Sequence, residues 1–128
     1  MTDRDELAAW LQLVETPQVG REAARKLLAA FGSPEAVLAA SFDSRCKVVS
    51  ESSARALMAP PPHFDALLSR TLAWLADASA DAARSVVALG DPRYPTRLLE
   101  AADPPLLLYA QGRIEWLHAD AVAIVGSR

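Results

Sequence analysis

A chain of 128 residues, 52% hydrophobic and 23% charged, has an ordinary globular balance and enough apolar material for one average domain or two small ones. Its formal charge of −3 and pI of about 5.3 exclude bulk, sequence-independent attraction to nucleic acid, and neither half is basic: residues 1–58 carry seven Lys/Arg against eight Asp/Glu, residues 59–128 six against eight. A single cysteine, Cys46, excludes an intrachain disulfide and a cysteine-built zinc site; an acidic N-terminus and the lack of any apolar run of spanning length argue for a soluble, cytoplasmic protein without a leader.

The first predicted element lies in "DRDELAAWLQLVETP". Leu7, Trp10, Leu11 and Val14 fall at i, i+3, i+4 and i+7, the stripe of an amphipathic helix. Asp3, Asp5 and Glu6 suit its positive end, and Pro17 bounds it. "PQVG" is a tight connector to a second helix, "REAARKLLAAFG", with Ala23, Ala24, Leu27, Leu28 and Phe31 on one side and Gly32 in the place of a C-terminal cap. "SPEAVLAAS" starts a third at once, with Ser33 as N-cap and Pro34 at the first helical position. Residues 43–53 are polar and weakly patterned; a short helix is expected around Ser53–Met58, and the prolines at 60–62 predict a turn. Phe64, Leu67, Leu68, Thr71, Leu72 and Leu75 then give a helix of roughly fourteen residues.

Periodicity is lost in "DASADAARS", the better place for a domain edge, and the texture beyond it changes to strands. "SVVAL" (85–89), "PLLLYA" (105–110) and "AVAIV" (121–125) are short apolar runs without polar alternation, which suits strands covered on both faces, as in a parallel sheet. Short helices are expected around Thr96–Ala101 and in "RIEWL". The expected architecture is therefore α plus α/β: a helical domain over 1–80 and the opening strands of a parallel sheet over 81–128.

Two stretches invite a chemical reading. In "VETPQVGREAARKLLAAFGS", a hairpin ending in glycine before a helix start can offer backbone amides to a phosphate, with Val19 and Gly20 at the turn and Arg21, Arg25 and Lys26 on the following helix. The pattern resembles the helix-hairpin-helix motif of DNA-binding proteins, but Gln18 stands where that motif has its first glycine. The plainer reading, a packing hairpin with solvated basic residues, is preferred. In "GDPRYPTRLLEAADPPLLLYAQG" (90–112), Asp91-Pro92, Tyr94-Pro95 and Asp103-Pro104-Pro105 fix rigid turns, and Tyr94 and Tyr109 read as core or rim aromatics.

That second stretch also carries a resemblance. Gly90, Asp91, Tyr94, Pro95, Leu98, Asp103, Pro104, Pro105, Leu108, Tyr109 and Gly112, followed by Ile124, Val125, Gly126, Ser127 and Arg128, resemble the DNA-processing protein A family (DprA/Smf). "LLAAFGSPEAVLAAS" is similar to the sterile-alpha-motif-like (SAM-like) or helix-hairpin-helix-like domain that precedes the core in many members. The resemblance implies a Rossmann-like core, here only its first strands, in a non-enzymatic protein that binds and protects single-stranded DNA. It further implies loading of the RecA recombinase in natural transformation (competence), homodimers formed through the core, and no cofactor. It carries a DNA-backbone role onto Arg128 alone, beside Gly126 and Ser127. Physically, a parallel strand ending in Gly-Ser presents amides at a sheet's carboxyl edge, and an adjacent arginine can hold a phosphate through its fork.

The chain is accordingly expected to be the N-terminal fragment of such a protein, cut at Arg128 and binding single-stranded DNA weakly or not at all by itself. Two alternatives stay open: a fragment of a lysine-decarboxylase-like nucleotide phosphoribohydrolase, whose first strand also runs into a Gly-Ser loop, and a stand-alone helix-hairpin-helix interaction module. His63 and His118 are too isolated to be metal ligands, Trp10, Trp74 and Trp116 are expected in the core or at its rim, and no Ser-His-Asp set or paired-carboxylate site is identifiable.

Overall fold

The computed structural model describes residues 4–77 and 82–118. Helix α1 spans Arg4–Glu15 and α2 spans Arg21–Phe31. They are joined by a turn in which the Val19 amide donates to the Thr16 carbonyl at 3.3 Å. Pro17 occupies its second position, and Gln18 its third at φ 71°, a left-handed conformation that such a turn ordinarily gives to glycine. Gly32, at φ 96°, closes α2 by donating its amide to Leu28 at 2.8 Å. The Ser33 hydroxyl then accepts the Ala36 amide at 3.1 Å to start α3, Pro34–Ala39. Punctuation read from the sequence thus sits where the backbone needs it.

Helix α4, Phe42–Cys46, was not expected, and α5, Glu51–Ala56, begins earlier than the helix placed at Ser53–Met58. Both start from serine caps, Ser41 and Ser50, whose hydroxyls accept amides three residues on. Arg45 of α4 is buried and points its guanidinium at the Val37 and Leu38 carbonyls at the end of α3, at 3.4 and 3.5 Å. Helix α6 spans Phe64–Ala76, after the prolines.

Strands β1, Arg84–Ala88, and β2, Leu107–Gln111, pair antiparallel, with Val86 opposite Tyr109 and Val87 opposite Leu108. The expected parallel arrangement does not hold for these two strands. A parallel pair needs a crossover that carries the chain back along the sheet. The 89–106 connection instead reverses direction through Gly90, at φ 94°, and contains one 3-10 turn, Leu98–Glu100. Apolar continuity in "PLLLYA" misled because it reports burial and not direction; along β2 Leu107 and Leu108 are half-buried while Tyr109 is exposed. A second 3-10 turn covers Ile114–His118. The third expected strand, 121–125, lies outside the described residues, as do Gly126, Ser127 and Arg128 and the boundary set at 80/81.

The described residues form a mixed α+β fold of six α-helices and a two-stranded antiparallel sheet. Two buried clusters hold it together, and each draws on both parts of the chain. Trp10, Leu13, Leu27, Val37 and Leu57 meet Ala88 and Leu106 in the larger one. In the smaller, Leu7 and Leu11 of α1 and Leu68 of α6 close on Val86 of β1. Helices and hairpin therefore bury one another's apolar surface, the dominant favourable contribution to folding. No helix among the described residues is long and apolar enough to cross a membrane.

Candidate nucleic-acid interface

The 90–112 stretch forms a strap from β1 to β2, and its residues have separate mechanical tasks. Asp91 accepts the Arg93 amide at 2.8 Å and the Arg93 guanidinium at 2.8 Å, fixing the turn after Gly90. The hydrogen-bonded Arg93 holds the Asp91 carboxyl below the usual carboxylate range, against an opposing push from burial. Tyr94 is 2% exposed and donates its hydroxyl to the Pro105 carbonyl at 2.7 Å, tying the start of the strap to its end. Burial pushes its phenol above the ordinary tyrosine range. Gly112, at φ 117°, donates its amide to Ala83 at 2.8 Å where the hairpin opens.

Asp103 links this strap to the helices. Its carboxylate receives Arg25 at 2.7 Å and Arg21 at 3.1 Å, and Arg25 also donates to the Pro104 carbonyl at 3.1 Å. Two of the hairpin's candidate phosphate ligands are thus engaged by a carboxylate of the same chain. Lys26 pairs with Glu22 at 3.4 Å, one helical turn away. Val19 is buried and spends its amide on the turn, while exposed Gly20 accepts the Ala24 amide at 2.9 Å as the helix begins. The five candidates are therefore neighbours at the start of α2, and the contacts they make serve packing and docking.

A second group went unnoticed in the sequence because its members are far apart in the chain. Trp74 of α6 and Tyr109 of β2 meet edge to face, ring centres 5.8 Å apart and planes at 84°. The Arg84 guanidinium lies 5.0 Å over the Trp74 ring and donates to the Trp74 carbonyl at 3.0 Å and to Asp77 at 3.3 Å. Burial raises the Tyr109 phenol above the usual tyrosine range, with help from the Glu15 charge and opposition from a Thr71 hydrogen bond. Arg70, Thr71, Trp74 and Tyr109 line an open cleft of about 410 Å³. Of the other aromatics, Trp10 is in the core as expected, whereas Trp116 is 67% exposed, with the Arg113 guanidinium 5.5 Å from its ring centre. It sits on a 3-10 turn, too short to have a buried stripe. His63 and His118 are exposed, and among the described residues no cluster of His, Cys, Asp or Glu could hold a metal ion.

These features define a mixed α+β protein in which a helical unit and a β-hairpin share two apolar clusters and an Asp-Pro-Pro strap makes ion pairs with α2. Residues 85–128, about a third of the chain, match the family model of DNA recombination-mediator protein A. The resemblance to the DNA-processing protein A family is thereby shown over the stretch that contains the strap and the Gly-Ser-Arg tripeptide. No curated protein and no solved structure gives a match.

Proposed function

We propose that the chain is part of a protein of DNA processing and recombination that binds single-stranded DNA, shields it, and helps to load the RecA recombinase during natural transformation. The match over residues 85–128 carries this reading, because its range spans both the strap and Gly126-Ser127-Arg128. Within that range, Tyr94 and Asp103 anchor the strap to the end of its own loop and to α2. At that tripeptide, in a Rossmann-like sheet, backbone amides of Gly126 and Ser127 and the fork of Arg128 hold a phosphate. Homodimers form through the same core. The work is binding, with no bond made or broken and no cofactor.

A direct phosphate contact by Val19, Gly20, Arg21, Arg25 and Lys26 has less support, since Asp103 engages Arg21 and Arg25, Glu22 engages Lys26, and the Val19 amide closes the turn. Arg128→Ala in the complete gene product tests the main reading. Affinity for single-stranded oligonucleotides should fall alike across sequences, and the slope of log K against log salt should drop by about one. Unchanged affinity and slope would remove Arg128 from the site.

A further inference from the structure

We infer that the cleft between α6 and β2 is a nucleobase-stacking subsite for single-stranded nucleic acid, with Tyr109 as the platform and Arg70 as the phosphate ligand. The inference rests on the single-stranded-DNA reading above and adds a contact separate from Gly126-Ser127-Arg128. Tyr109 is 52% exposed even though it lies opposite fully buried Val86. Its perpendicular contact with Trp74 occupies at most one face of the phenol ring, so at least one face has no ring partner among the described residues. Trp74, the ring that Tyr109 abuts, is held by Arg84, which in turn is bonded to the Trp74 carbonyl and Asp77, so the cleft wall beside the platform is fixed before a ligand arrives.

Charge decides the class of ligand. Arg84 is committed to Trp74 and Asp77, whereas Arg70, exposed on the cleft's rim, has no ion-pair partner among the described residues. An aromatic face beside a free guanidinium suits a flat, anionic ligand, and a nucleotide is both. Stacking on an aromatic side chain tolerates any base, because every base has a π-face. The phosphodiester is drawn to Arg70 and away from Glu15, whose charge reaches Tyr109.

The test is photocrosslinking of an iododeoxyuridine-substituted oligothymidylate to the complete gene product, mapped by mass spectrometry, with affinities for Tyr109→Ala, Tyr109→Phe and Arg70→Ala. Crosslinks at Tyr109 or Trp74 are expected. Tyr109→Ala should weaken binding roughly tenfold and Tyr109→Phe should restore it, because stacking does not need the hydroxyl. Arg70→Ala, an exposed change that leaves the fold intact, should lower the salt slope by about one. Binding that persists in all three variants, with crosslinks only elsewhere, overturns the subsite and leaves the single-stranded-DNA reading standing. Absence of any oligonucleotide binding by the unaltered protein overturns both, and a cleft that instead captures a peptide would also refute the assignment.

Discussion

Gln18 shows how one residue can separate a motif from its usual use. The turn 16–19 demands φ 71° at this position, and a side chain with a Cβ is disfavoured there by about 1–2 kcal/mol. Glycine removes that penalty at some cost in unfolded-state entropy, so Gln18→Gly should stabilise the protein by about 0.5–1 kcal/mol, read as a higher urea midpoint. Gln18→Ala retains the Cβ and should give no such gain. If both substitutions behaved alike, the strain assigned to this turn would be absent. The sequence shows that glycine is missing here. Only the backbone shows that the chain adopts the glycine conformation nonetheless.

At the scale of elements, the decisive contact is between α2 and the strap. Arg25 and Asp103 lie 78 residues apart, and no local pattern announces their meeting. Local chemistry, in contrast, was legible: the stripes of α1, α2 and α6 and the caps at Gly32 and Ser33 follow from short-range rules. Helix α4 was not legible, because five residues show no periodicity and its anchor, buried Arg45, belongs to tertiary packing. Strand direction was hidden for the same reason, being set by how the strap folds back. Asp103→Asn should cost about 1 kcal/mol or less, since Arg21 and Asp103 are half-exposed and Arg25 keeps its bond to Pro104. The difference should shrink in 1 M salt, where screening already weakens the pairs. A denaturation series at two salt concentrations checks it. Tighter oligonucleotide binding by the same variant would restore the hairpin arginines as phosphate ligands.

For the whole molecule, the shared clusters predict a single cooperative unfolding step. Leu11 is fully buried between α6 and β1, so Leu11→Ala should destabilise helices and hairpin together by about 2–5 kcal/mol, a large part of a typical domain's stability. Far-ultraviolet circular dichroism and tryptophan fluorescence should trace coincident transitions; separate midpoints would mean two independent units. The same arrangement matters while the chain is being made. Leu7 and Leu11 leave the ribosome long before Val86, the strand residue that completes their cluster. At roughly 5–20 residues per second, the part of their apolar face that α6 does not cover waits about 4–15 seconds for the strand. The N-terminal helix therefore needs a chaperone's attention, or its own loose collapse, until β1 has been synthesised.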